Sequence, residues 1–209
     1  MRMRNAVVSS LAVFALFASA LSVEARGRKS VSTEPGTYKE WGPDIDEITI
    51  KKTFKIANYD TIVVVPFDTS KTTKPGKDED SYHAVNNVLE GFSGTLSEAL
   101  RKELKATAKV EQHSKAPKAS RTLIVRGTVD EIDPGSRAAR YWAGFGAGGA
   151  VTKITGEIVD AATGVVLIQF EQSRRSGGTM KFAGGKDTQV MRDSIHALGE
   201  DVAHMLDAF

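Results

Sequence analysis

The stretch PGSRAARYWAGFGAGGA, residues 134–150, decides how the chain is read. Within it, Gly144-Phe145-Gly146-Ala147-Gly148-Gly149 spells a formal G-x-G-x-x-G. A dinucleotide-binding loop uses that spelling between a strand and a helix, and the helix N-terminus holds the pyrophosphate. Here the preceding strand pattern stops at Asp133, and the residues that follow, AVTKITGEIV, read as a second strand. Nor does a Gly-Lys-Ser/Thr follow to make a P-loop. No nucleotide, and no other cofactor, is expected. Three readings of the stretch stay open. It is a wide turn in which Gly135, Gly144, Gly146, Gly148 and Gly149 are structural and Tyr141, Trp142 and Phe145 pack back on the sheet. Or it is an interaction loop, in which Arg137, Arg140, Tyr141, Trp142 and Phe145 meet a protein or glycan-polymer partner. Or it lies at a membrane interface, being too short to span one.

Working outward, RTLIVRGTVDEID (121–133) puts Leu123, Val125, Gly127 and Val129 on one face of a strand. AVTKITGEIVD (150–160) and VVLIQFEQS (165–173) form a hairpin around DAATG, with Gly164 where a turn plus bulge needs a left-handed residue. Upstream, ITIKKTFKI predicts a strand with Ile48, Ile50, Phe54 and Ile56 on one face, and TIVVVPF a strand buried on both faces. A helix is expected from Ser81 to Ala108 on the stripe Val85, Val88, Leu89, Phe92, Leu96, Leu100, Leu104, weakened by Gly91 and Gly94. AKVEQ reads as a short strand, and RRSGGTMKFAGGKD as a loop. A last helix spans Asp187 to Leu206. The order β-β-α-β-β-β-β-α predicts an α+β fold. It is a two-layer α/β sandwich: one mixed, mostly antiparallel sheet of about five strands with two amphipathic helices on one face.

The 209-residue chain opens with Arg2 and Arg4, then runs apolar from Ala6 to Val23 and offers small-residue exits at Ala20 and Ala25. That is the pattern of a secretory signal peptide. The expected organisation is a signal peptide over 1–25, a flexible leader over 26–43 with regular structure starting near Ile45, and one α/β domain over 44–209. The alternative is that the apolar run stays as an anchor. A net charge of +2 is too balanced for a nucleic-acid binder. The absence of cysteine removes disulfides, thiolate chemistry and a lipidated N-terminus, so the chain is not expected to be a lipoprotein.

A catalytic constellation is not visible. His83, His113, His196 and His204 are read as having no carboxylate or second His at i,i+4 to make a ligand pair such as H-E-x-x-H, so no metal site is expected. No G-x-S-x-G elbow occurs. Asp44, Asp46 and Glu47, like Asp78, Glu79 and Asp80, read as solvated charge. Arg174 and Arg175 in RRSGG read as a solvated loop or a contact for an anionic polymer.

The residues GSRAARYWAGFGAGGA, a following strand and DAATGVVL, with YDTIVVVPF and the long helix ahead of them, resemble a bacterial envelope family known as domain of unknown function 4410. The resemblance extends from about Ile48 to Leu206. It implies secretion, no known enzymatic activity and no catalytic residues to carry over. It implies a fold similar to small envelope α/β domains: the N-terminal domain of the Tol translocation protein, the lipoprotein activators of peptidoglycan synthases and the curli secretion-channel subunit. Many relatives are lipoproteins, and this chain departs from them in having no cysteine. The expectation is a periplasmic or secreted accessory protein that binds an envelope protein, through a sheet edge or the 134–150 loop. It is not expected to be an enzyme or to bind nucleic acid, and membrane contact is peripheral if any. The alternatives are a hydrolase of envelope polymers and a self-assembling structural subunit.

Overall fold

The computed structural model describes residues 31–42, 44–135, 149–176 and 187–209. Its strands are β1 (Gly36–Trp41), β2 (Ile45–Ile50), β3 (Thr61–Val64), β4 (Lys109–Gln112), β5 (Thr122–Asp133), β6 (Ala150–Asp160) and β7 (Val166–Ser176). The helices are α1 (Tyr82–Glu90), α2 (Phe92–Glu103) and α3 (Asp187–Leu206). All strands join one open sheet in the order β1-β2-β7-β6-β5-β3-β4. The pairs from β1 to β5 are antiparallel, while β3 runs parallel to both β5 and β4.

The mixed, mostly antiparallel sheet is therefore as expected, but the described residues hold seven strands instead of about five, and three helices instead of two. The predicted long helix breaks at Gly91, whose φ and ψ of −91° and 0° leave the helical region. That geometry is open to any residue, and the chain resumes a helix at Phe92. The strand ITIKKTFKI ends at Ile50, because the chain bends at Lys51 and Lys52. Both of their N–H groups donate to the Leu167 carbonyl. Phe54 and Ile56 reach the core from the connection beyond, Ile56 in a single 3-10 turn.

Among the described residues, regular structure begins at Gly36, ahead of the expected Ile45. Residues before it are tied down too. The Trp41 indole N–H donates to the Ser32 carbonyl at 2.7 Å, and the Thr53 hydroxyl donates to the Thr33 carbonyl at 2.9 Å. The polar sequence GTYKEW forms a strand because it is an edge strand, with only Trp41 buried.

One main core lies between the sheet and the helices. Ile48, Ile62, Leu123, Ile154 and Ile158 from the sheet meet Leu96, Leu100, Ile195, Leu198 and Leu206, all 0 % exposed. A smaller cluster of Val63, Val65, Ile124, Val159 and Ala161 is buried separately. β3 thus alternates between two apolar clusters, which is why its sequence is a continuous apolar run. The turn after β6 follows the expected chemistry: Gly164 has φ +72°, and its N–H donates to the Asp160 carbonyl at 2.8 Å.

Candidate functional site

The glycine stretch joins β5 to β6, which pair antiparallel from Leu123↔Asp160 to Asp133↔Val151. It therefore links two strands of a hairpin, and β6 begins at Ala150 where a dinucleotide loop needs a helix. At its near end Gly135 has φ +70°, and its N–H donates to the Asp133 carboxylate at 2.7 Å. Arg137, Arg140, Tyr141, Trp142, Phe145, Gly144, Gly146 and Gly148 lie outside the described residues. Gly149 is described and leads into the fully buried Ala150.

A concave surface among the described residues lies elsewhere, where the β1–β2 turn faces the C-terminal ends of α2 and α3. A groove of about 870 Å³ is lined by Tyr38, Trp41, Ile56 and Met205, with Glu40, Asp44, Lys105, His204 and Asp207 among its polar residues. Trp41 in its lining is backed by stacked rings. Trp41 stacks on Phe209 at 5.9 Å, and Phe209 on Phe54 at 4.8 Å. Asp207 fixes the end of α3 against the exit of α2, its carboxylate accepting from the N–H groups of Lys105 and Ala106 at 2.9–3.1 Å.

Beside the groove runs a chain of charges. Asp201 on α3 is 2 % exposed and accepts a two-pronged contact from Arg174 on β7 and a hydrogen bond from Gln172 at 2.7 Å. Arg174 also reaches Asp44 at 3.4 Å, and Asp44 bonds to His204 Nδ1 at 3.0 Å. Burial pushes the Asp201 carboxyl up, while the Arg174 guanidinium opposes that shift. In return Asp201 holds the guanidinium charged. The Asp46 N–H donates to Gln172 and the Ser173 N–H to the Asp46 carboxylate, so the network sews β2, β7 and α3 together.

These contacts correct three expectations. Asp44 and Asp46 are engaged partners, because the β1–β2 turn folds onto β7 and α3. Arg174 belongs to β7 and serves a buried carboxylate, so it is no solvated loop residue. His196 has a carboxylate one helical turn away, Glu200 at 3.0 Å. Sequence reasoning did not find the network, although Asp201 sits in line with Leu198, Val202 and Met205 on the apolar stripe of α3. A charge in such a stripe is a signal that a partner waits across the interface.

The His204–Asp44 pair resembles the orienting half of a hydrolytic triad, but no nucleophile hydrogen-bonds to His204 among the described residues. Among the same residues, no three His, Cys, Asp or Glu side chains are grouped to hold a metal. No described helix is long and apolar enough to cross a membrane.

Residues 62–179 match the family described as "Domain of unknown function (DUF4410)". The chain belongs to this family. No curated protein matches it. Among solved structures, the PelC dodecamer from Paraburkholderia phytofirmans is similar at 17 % identity and a TM-score of 0.40, over 74 % of this chain and 95 % of that one. A Xanthomonas campestris protein of family DUF330 is similar at 10 % identity and a TM-score of 0.43, over 71 % of this chain and 84 % of that one. At these levels no residue role carries across.

Proposed function

We propose that this DUF4410 member is an exported accessory protein of the bacterial envelope that works by binding another protein and has no catalytic activity of its own. The observation that carries this reading is the groove beside β1: a large concavity with an apolar, aromatic floor and polar groups at its margin. Such a surface suits recognition. A catalytic site instead needs a nucleophile, a base and an orienting group brought within hydrogen-bond reach. The basic N-terminus and the apolar run to Val23 support export and a periplasmic or secreted location.

A capture experiment from envelope extracts tests the reading. It compares the exported protein with an Arg137→Ala, Arg140→Ala, Trp142→Ala variant, both shown to be folded by circular dichroism. Specific capture of one partner supports a binding role, and its loss in the variant places the contact on the glycine stretch. A turnover signal on envelope polymers with no partner captured would favour the hydrolase reading instead. N-terminal sequencing of the secreted chain tests export; an intact Met1 would refute cleavage.

A further inference from the structure

We propose that the segment from Asp68 to Thr73 is a guard laid over the far half of β5, and that its release opens a pairing edge for β5 of a second copy of this chain.

The need for a guard follows from unequal strand lengths. β5 runs from Thr122 to Asp133, but β3 covers its edge only from Thr122 to Val125. β6 takes the opposite edge, from Leu123 to Asp133. On the β3 side, Gly127 to Ile132 is therefore left to whatever follows β3 in the chain. That segment turns back along it. The Asp68 N–H donates to the Gly127 carbonyl at 2.8 Å, and the Val129 N–H donates to the Asp68 carbonyl at 2.9 Å. The Thr72 hydroxyl donates to the Val129 carbonyl at 2.6 Å. The Thr73 N–H donates to the Asp130 carbonyl at 2.8 Å, and the Ile132 N–H to the Thr73 carbonyl at 2.9 Å. The segment is no strand itself. It makes two isolated parallel bridges, Asp68↔Thr128 and Thr73↔Glu131, with a turn at Ser70 and Lys71 between them.

The guard and the edge beneath it are held very differently. From Asp68 to Ala84 no residue is buried, so hydrogen bonds and not side-chain packing keep the segment in place. Val129 and Ile132 of β5 lie in the main core at 1 % and 0 % exposure. A segment without buried side chains opens at a small fraction of the cost of unfolding the sheet. The edge it leaves is rigid, extended and lined with unpaired N–H and C=O groups, which is a template for another strand. The same edge on a second copy is its complement, because an antiparallel pairing of one segment with itself closes by two-fold symmetry.

The test compares the full chain with a Thr72→Ala, Thr73→Pro variant. The first change removes the hydroxyl donor to Val129, and proline removes the N–H that donates to Asp130. At high dilution the variant should keep the parent's circular dichroism, while the Val129 and Ile132 amides exchange roughly tenfold faster. At high concentration it should form a reversible dimer in sedimentation, at least about tenfold tighter than any association of the parent. Lys71→Ala, at the tip of the turn, should behave as the parent does. A synthetic peptide of residues 65–75 should return the variant to monomer, and the same peptide with proline in place of Thr73 should not. If the double variant does not fold, Thr72→Ala alone is measured in the same way, with the same signs and smaller shifts.

A folded variant that stays monomeric overturns the proposal. So do Val129 and Ile132 amides as protected as in the parent, because the segment is then not what covers the edge. A dimer that the peptide leaves intact overturns it too, since the association then uses another surface.

Discussion

At one end of the sheet, β4 contributes only four residues, buries Val110, and lies beside α2, whose Arg101 donates to the Val110 carbonyl at 3.1 Å. At the other end, β1 contributes six residues and buries only Trp41. It is held by polar ties: Thr37 to Thr49, Trp41 to Ser32, Lys39 to Glu47. The β4 wing is stabilised by helix packing that needs close backbone approach. The β1 wing is stabilised by hydrogen bonds and a buried ion pair. The two ends of the sheet are thus secured by different means, one by packing and one by polar contacts.

The strongest test of that contrast is Gly199→Val, where α3 crosses α2. A Cβ at Gly199 stands 2.6 Å from the Ala99 Cβ and 2.7 Å from the Leu96 carbonyl, so the helices must separate. We expect a loss of about 4 kcal/mol in urea unfolding, above the roughly 1–3 kcal/mol usual for core overpacking because backbone atoms of Leu96 and Leu100 stand in the way. A loss as small as that of an exposed site would show that the crossing is loose.

Next is Asp201→Ala, which leaves Arg174 without its buried partner. Breaking a buried pair costs about 3–5 kcal/mol, and the partly exposed Arg174 can recover some water, so we expect about 3 kcal/mol. Hydrogen exchange should rise in β1 and β2 and stay unchanged in β3 and β4. Uniform loosening would contradict the division into wings.

Smaller is Tyr59→Phe at the base of the β4 wing, where the Tyr59 hydroxyl donates to Asp160 at 2.9 Å. Burial and Asp160 push the Tyr59 pKa up to about 12. Its contribution is therefore complete below about pH 10 and disappears as pH rises toward its folded value. For Asp160, burial acts upward, but hydrogen bonds from Thr163 and Tyr59 outweigh it and hold the carboxyl low. That contribution is present at neutral pH and is lost as pH falls below about 4. Tyr59→Phe should cost about 1 kcal/mol at pH 7 and flatten the alkaline limb of the stability profile. An unchanged alkaline limb would remove Tyr59 as its cause.

The smallest effect is a gain. Glu40 has φ +48° at the end of β1, a conformation that glycine adopts without a Cβ clash. Glu40→Gly should raise stability by about 0.5–1 kcal/mol. A loss instead would mean that the carboxylate has a stabilising partner.

Much of the fold was legible because its elements bury one face. Leu123, Val125 and Val129 alternate, α3 spans Asp187 to Leu206 as its stripe predicts, and Gly164 sits in its turn. β1 was not legible, because an edge strand wetted on both sides shows no apolar period. The charge network was not legible either. Asp44, Arg174, Asp201 and His204 meet only after β2 joins β7 under α3, and no sequence spacing encodes that meeting. The groove has the same cause: its walls come from β1, from the connection after β2 and from the ends of α2 and α3.

The strand order sets a timetable for folding. β2 pairs with β7, Glu47 opposite Glu171, and the ring of Phe209 lies between those of Trp41 and Phe54. The first two strands therefore find their neighbours only after more than half of the chain has followed them. Until then they form a two-stranded hairpin, which is marginal in water. Pairings that close such long loops are slow to form. A nascent chain of this protein cannot latch its β1–β2 hairpin to the sheet until β7 and the C-terminal Phe209 have been made.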